Sequence, residues 1–196
     1  MISAVLIGVS AIAFAANEST ELSSSSYDPG KFYGLIVNSN ANIILTQGEH
    51  NSIRLDGNKR DLKNLRATIE NGALTINGGS NYPVNIYISA EELNLIEING
   101  CARIFASGSI NSDILLLKVN GSGSLKIDVR ALTVGMIVNG SGKIIVSGSS
   151  GESYLRIFGT GNIFTDNLDS FSVSEERIAL KESKVVAKRA TLKLQR

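Results

Sequence analysis

The hydrophobic positions between residues 93 and 170 recur in short alternating runs, each interrupted by an Asn-Gly or Phe-Gly step. The two clearest runs read VNGSGSLKI and VNGSGKIIV and begin at Val119 and Val138. Aligning the steps places Gly100, Gly121, Gly140 and Gly159 in one column, with spacings of 21, 19 and 19 residues. This period is too short for helix-pair repeats and is typical of one turn, or rung, of a β-solenoid.

Four columns of mostly apolar residues flank the glycine step. They are Ile96, Leu117, Met136 and Leu155; Ile98, Val119, Val138 and Ile157; Ile104, Leu125, Ile144 and Ile163; and Ala106, Ile127, Val146 and Thr165. Alternation of apolar and polar residues puts each column on one side of its strand. Rungs that stack about 4.8 Å apart then line up the side chains of each column inside the solenoid. The pattern predicts an all-β fold, a parallel β-helix-like solenoid with rungs of about 19–21 residues.

The glycine step is predicted to be the corner of each rung. Asn-Gly-Ser-Gly accepts a tight bend and a positive φ, which residues with larger side chains rarely adopt. An ordinary meander could also use Asn-Gly hairpins, but it would not require the same corner at constant spacing. The asparagines are expected to stack as an amide ladder. The predicted structural corner residues are Asn99, Gly100, Asn120, Gly121, Asn139, Gly140 and Gly159.

The chain of 196 residues is long enough for one well-packed domain. The predicted divisions are a signal peptide over 1–15, a flexible Ser-rich leader over 16–29, a single β-solenoid domain over 30–196, regular rungs over 93–170 and a C-terminal cap over 171–196. The signal peptide is inferred from an apolar run that ends in an A-x-A pattern. Ahead of the rungs, alternating runs predict further strands, and KRDLKNL predicts one short helical turn.

Charge and cysteine content narrow the class of function. A net charge of +1 provides no excess of cations for a nucleic-acid partner, so none is expected. Cys101 is the only cysteine and occupies the corner position that small hydroxyl residues hold in the other rungs, so no internal disulfide can form. We expect export to the periplasm, the outer surface or the medium, with no transmembrane segment in the mature chain.

Few residues carry candidate chemistry. His50 is the only histidine, which leaves a catalytic triad or a typical zinc site incomplete. Asp166 and Asp169 are a pair without a third ligand. Glycoside hydrolysis needs two carboxyl groups facing one cleft, whereas the outward column before the corner has mixed charge and reads Glu97, Lys118, Ile137 and Arg156. We predict no catalytic residue, no metal site and no cofactor, with a periplasmic carbohydrate-active β-helix enzyme as the alternative.

One outward column is mostly apolar and reads Phe105, Lys126, Ile145 and Phe164. Exposed apolar stripes often mark interfaces. We therefore predict Phe105, Ile145 and Phe164 as a partner surface for a glycan, a cell-surface protein or a second copy of the chain. An equally good interpretation is that the N-terminal strands or the C-terminal tail cover this column within the same chain.

The segments FYGLIVNSNANIILTQGEHNSIRLDGN and LRATIENGALTI, together with the two glycine repeats, resemble the putative auto-transporter adhesin head domain family, the GIN domains, of bacterial envelope proteins. The resemblance extends from about Phe32 to the end of the chain. It implies a right-handed parallel β-helix-like fold and an exported location, and it implies little chemistry. We expect an exported non-enzymatic envelope or cell-surface protein that acts as an adhesin-like binding or structural module.

Overall fold

One coiled sheet of twelve strands dominates the computed structural model, which describes residues 22–78 and 83–178. The strands are β1 (Leu22–Tyr27), β2 (Gly34–Asn38), β3 (Ala41–Gln47), β4 (Ser52–Asn58), β5 (Arg66–Glu70), β6 (Ala73–Asn77), β7 (Val84–Ala90), β8 (Leu95–Gly100), β9 (Arg103–Gly121), β10 (Ser124–Gly140), β11 (Lys143–Gly159) and β12 (Asn162–Ile178). A single helical turn, α1 (Lys59–Leu62), follows β4 as KRDLKNL predicted. The predicted all-β solenoid is confirmed.

The four long strands β9 to β12 stack in parallel, and their register follows the predicted columns around the corner. Leu125 lies between Ile104 and Ile144, and Gly140 lies between Gly121 and Gly159. The first half of β9 pairs with β3 and its second half with β8, so each long strand crosses two faces of the solenoid. We call these the first face and the second face. Their inward columns form the core that holds them together.

The N-terminal strands join both faces out of chain order. On the first face the order runs β1, β4, β7, β3 and then β9. On the second face it runs β5, β6, β2, β8 and then β9. β1, β4 and β5 pair antiparallel to their neighbours, unlike the parallel strands between them. The sequence predicted strands here except β1, which lies in the segment 16–29 that was predicted to be a flexible leader. It did not predict this interleaved order, because a hydrophobic pattern records which side is buried and not which strand is adjacent.

The register shifts at the second of the two post-corner core positions, so the predicted column of Ala106, Ile127, Val146 and Thr165 is interrupted at both ends. Two extra residues in β9 give a bulge opposite the segment between Lys126 and Asp128, and one extra residue in β12 gives a bulge opposite the segment between Ile145 and Ser147. After the second bulge, Glu175 lies beside the buried Leu155. The last described strand is therefore more polar than the rungs it covers, as expected for a terminal repeat.

The corner brings successive backbones into direct contact. Gly140 has φ +117°, and a Cβ at this position would lie 2.7 Å from the carbonyl oxygen of Gly121. That oxygen accepts hydrogen bonds from the N–H groups of Ser141 and Gly142 at 2.9 and 2.8 Å. A side chain would therefore oppose both the local backbone conformation and the stacking of one corner on the next.

An amide ladder runs along the corner. Asn139 Nδ2 donates to Asn120 Oδ1, and Asn120 Nδ2 donates to Asn99 Oδ1, each at 2.7 Å. The ladder continues through Asn38 to Asn77, with bonds of 2.8 and 2.7 Å. The last two residues were not predicted because they lie outside the regular repeats. Both have the local sequence of the predicted ladder residues, in which an apolar residue is followed by Asn and then by Ser or Gly.

Candidate binding face

A continuous row of side chains crosses the outside of the first face. Register places Ile44 beside Phe105 on one side and beside Tyr87 on the other. β4 adds Arg54 next to Tyr87, and the row continues from Phe105 into the regular rungs. We call this row the outer stripe, and its members in spatial order are Arg54, Tyr87, Ile44, Phe105, Lys126, Ile145 and Phe164. Seven adjacent strands give it a length of about 30 Å.

The predicted partner residues are accessible on this row. Phe105 is 47% exposed and Phe164 is 43% exposed, while Ile145 is half-buried between its neighbours. The N-terminal strands lengthen the stripe instead of covering it, since β3 and β7 lie beside β9 in the same sheet. The tail that was the other candidate cover, residues 179–196, lies outside the described residues.

Two cations lie against aromatic rings of the outer stripe. The Arg54 guanidinium carbon is 3.9 Å from the centre of the Tyr87 ring. The Lys126 ammonium is 5.7 Å from the centre of the Phe105 ring. Such contacts are favourable because the electron-rich face of a ring attracts positive charge. The two contacts place positive charge beside the apolar surface of the stripe.

Polar columns flank the outer stripe. On one side lie Asn85 and Asn42, whose amides are joined by a 3.3 Å hydrogen bond, followed by Arg103, Ser124 and Lys143. On the other side Ser147 Oγ donates to Asp128 Oδ2 at 2.8 Å. Binding sites usually combine apolar surface with a few hydrogen-bonding groups. Outside the regular rungs, the sequence did not predict which residues form either polar column.

The second face has a different electrostatic arrangement. Lys118 Nζ lies 2.8 Å from Glu97 Oε2, whose other oxygen accepts a 3.1 Å hydrogen bond from the ladder residue Asn120. Arg156 Nε pairs with Glu176 Oε2 at 2.8 Å. The mixed-charge column predicted from sequence is therefore a row of ion pairs. Nearby, the hydrogen bond that Tyr154 donates to Glu152 raises the pKa of the tyrosine.

A groove of about 850 Å³ lies at the corner opposite the glycines. Its lining includes Tyr33, Asn94, Arg130 and the strongly exposed Leu132. Two carboxylates, Glu92 and Asp113, also line it, and both are exposed to solvent. This pair was not predicted, although its 21-residue spacing equals that of Gly100 and Gly121 and places the two carboxylates on adjacent rungs.

The remaining candidates are surface residues. His50, Asp166, Asp169 and Cys101 are all exposed, and Cys101 is a free thiol at its corner. Across residues 22–78 and 83–178, no group of three or more His, Cys, Asp or Glu side chains is placed to hold a metal ion. In that same part of the chain, no helix has the length and hydrophobicity needed to span a membrane. The predicted signal peptide lies outside the described residues.

Comparison with known proteins identifies relatives of this fold. The family model described as "Putative auto-transporter adhesin, head GIN domain" matches residues 31–176. No curated protein matches the chain.

Several crystal structures resemble the chain at low sequence identity. A putative adhesin from Bacteroides fragilis has a TM-score of 0.77 and 20% identity, covering 82% of this chain and 79% of that one. A putative adhesin from Parabacteroides distasonis has a TM-score of 0.64 and 15% identity, covering 81% and 79%. A structure from the same species, described as a putative lipid binding protein, has a TM-score of 0.61 and 15% identity, covering 80% and 78%. These likenesses support the fold.

Proposed function

The chain belongs to the putative auto-transporter adhesin head GIN domain family, and on that premise we propose that it is an exported, non-enzymatic, adhesin-like protein. Its binding surface is the outer stripe on the first face. Its ligand is a glycan chain of a cell surface or envelope, which lies along the stripe across several strands.

The observation that carries this proposal is the continuity of the stripe. Three aromatic rings, Tyr87, Phe105 and Phe164, lie on one flat face with two aliphatic side chains between them. Sugar rings stack on aromatic faces through their C–H groups, while amides and hydroxyls beside the rings can bond sugar hydroxyls. A flat and open row suits an extended polymer better than a small molecule, which needs a concave pocket.

Polysaccharide capture tests this surface. The purified protein is applied to a printed panel of neutral and acidic polysaccharides as wild type, as Phe105→Ser/Phe164→Ser, and as Leu132→Ser/Tyr154→Ser. The control removes exposed apolar surface away from the stripe. We expect the first variant to lose at least about tenfold in affinity while the control binds like wild type. Thermal unfolding verifies that all three proteins are folded.

Two results would overturn the binding proposal. One is full retention of binding by the Phe105→Ser/Phe164→Ser variant, especially with loss in the control, which would move the site to the opposite corner or the second face. The other is the absence of any captured polysaccharide with wild type. If the stripe instead joins two copies of the chain, sedimentation will show an oligomer that the Phe105→Ser/Phe164→Ser variant converts to a monomer.

Export has its own test. An epitope is placed after Arg196, and intact cells of the native host are treated with protease beside a periplasmic control protein. Loss of the full-length band while the control survives supports exposure on the cell surface. Protection of the band would move the protein to the periplasm and contradict a direct adhesin, leaving an envelope-binding role.

A carbohydrate-active enzyme is the second candidate, and the groove beside Glu92 and Asp113 favours it. The two carboxylates line one cleft together with Tyr33 and Arg130, as glycoside chemistry requires of its acid and base. Incubation with the same polysaccharide panel should then release reducing ends, and a Glu92→Gln/Asp113→Asn variant should release none. Release that persists in the variant would exclude this groove as the active site.

A further inference from the structure

Three cations on the first face form no ion pair with any residue of the described chain: Arg103, Lys126 and Lys143. We propose that they bind the acidic groups of the ligand, so that the glycan recognised by the outer stripe is a polyanion carrying carboxylate or sulfate groups. This inference rests on the proposed function and specifies its ligand class. We call the three residues the cation triangle.

Register determines the shape of the cation triangle. Ser124 lies directly between Arg103 on β9 and Lys143 on β11. Lys126 follows on the same strand as Ser124 and points outward from the same face. The Cα atoms of Arg103 and Lys143 are therefore about 10 Å apart, and Lys126 lies about 7 Å further along the strand direction. All three side chains are exposed and surround one hydroxyl.

The triangle differs from the cations on the two faces that have carboxylate partners. Lys118 and Arg156 on the second face have carboxylate partners at 2.8 Å, and Arg54 at the end of the outer stripe has Asp56 at 3.5 Å. The carboxylate beside the triangle, Asp128, accepts a hydrogen bond from Ser147. Three like charges on neighbouring strands repel one another, and a bound anion would relieve that repulsion.

The position of the triangle favours an acidic polysaccharide over other polyanions. Lys126 lies in the stripe itself, over the Phe105 ring, so an acidic sugar stacked there would meet a cation at its edge. Nucleic acid is less suited, because the overall charge is only +1 and its recognition requires a larger basic surface. A lipid bilayer is less suited because the aromatic side chains lie in a flat sheet between polar columns.

Matched polymer pairs test the ligand class. The acidic members are polygalacturonate and dextran sulfate, and their neutral counterparts are fully methyl-esterified polygalacturonate and dextran. The variants are Arg103→Gln/Lys126→Gln/Lys143→Gln and a control with the same change in net charge, Lys31→Gln/Lys63→Gln/Arg177→Gln. Vesicles of phosphatidylglycerol and phosphatidylcholine, and a single-stranded DNA, serve as competing polyanions. Binding is measured by biolayer interferometry at low and high salt.

We expect wild type to bind at least one acidic polymer more tightly than its neutral partner, with a preference that shrinks as salt rises. The triangle variant should lose about tenfold to hundredfold in that affinity, and the charge-matched control should lose little. Equal binding of acidic and neutral polymers, with loss in the Phe105→Ser/Phe164→Ser variant, would overturn this inference and leave the proposed function intact. Equal loss in the control variant, or tighter binding to vesicles or DNA, would also overturn the inference.

Discussion

The two outer faces share one backbone and one repeat, yet their charged residues are arranged in different ways. On the second face Glu97 and Lys118 lie opposite each other in register and form an ion pair, and Arg156 and Glu176 form another, separated from the first by Ile137. On the first face Arg54 is paired with Asp56 at the end of the outer stripe, but the cation triangle has no carboxylate partner among the described residues. The two faces therefore differ in how much of their positive charge is neutralised within the chain.

The corner aligns successive rungs on both faces. Because the Asn-Gly step fixes the register, the outward columns next to the corner run straight across several rungs. A substitution at the corner should therefore disturb both faces, whereas a substitution on one face should leave the other unchanged.

The largest effect is expected from Gly140→Ala, which breaks the corner shared by the two faces. A Cβ there would lie 2.7 Å from a backbone oxygen in a φ region unfavourable to alanine, so we expect a loss of about 3 kcal/mol in unfolding free energy. The matched control is Gly100→Ala, which has a similar φ but open space around the Cβ and should lose about 1–2 kcal/mol. Urea unfolding measures both, and equal losses would contradict the stacked-corner account.

Asn120→Ala should have the next largest effect on stability. The change removes the donor to Asn99 and Glu97 and the acceptor used by Asn139, for a loss of about 1–2 kcal/mol. Asn139→Ala removes a residue with one ladder hydrogen bond, which it donates to Asn120, and should lose about 0.5–1 kcal/mol. Urea midpoints compare the two variants, and a larger loss for Asn139→Ala would argue against a ladder anchored in its middle.

A pair of lysine variants sharpens the comparison between the faces. Lys118→Ala leaves a partly buried Glu97 without its ion-pair partner and should cost about 1 kcal/mol of stability with unchanged polysaccharide binding. Lys126→Ala should change stability by less than about 0.5 kcal/mol and should lower affinity for the acidic polymer. Thermal unfolding and binding are measured on the same samples. Reversal of this pattern would mean that the second face is the binding surface.

The smallest effect is expected from Arg156→Ala. Its ion pair with Glu176 is largely exposed, so the stability loss should be below about 0.5 kcal/mol and should vanish at high salt. Unfolding at low and high salt measures the difference. A loss that is large and insensitive to salt would show that the second face depends on this pair more than its exposure indicates.

The columns around the corner were predictable to the residue, whereas the bulges of the rungs and the strand order of the N-terminal half were not. Gly100, Gly121, Gly140 and Gly159 recur at nearly constant spacing, and only one stacking brings them into a column. The strands β2, β3, β6 and β7 have the same inward alternation without a repeated corner. The sequence therefore did not determine which strands lie beside them. For that reason Phe105 and Phe164 were found from the sequence, while Tyr87, Ile44 and Arg54 required the interleaved sheet order.

The neighbours of Lys118 and Lys126 could be read from the repeat, which places one beside Glu97 and the other beside Phe105, as the register confirms. The partner of Arg156 could not, because the extra residue in β12 moves Glu176 into register beside it. The opposite groove was not predicted, although Glu92 and Asp113 have the 21-residue spacing of the repeat, because its lining also includes Tyr33 from the N-terminal part of the chain.

Carbene footprinting with mass spectrometry, with and without a saturating acidic polysaccharide, tests the binding face most directly. If the polysaccharide lies along the outer stripe, we expect reduced labelling at Phe105, Lys126, Ile145 and Phe164, and unchanged labelling at Tyr154 and Leu132. Protection confined to Tyr154 and Leu132, with the outer stripe labelled as strongly as in the free protein, would contradict it.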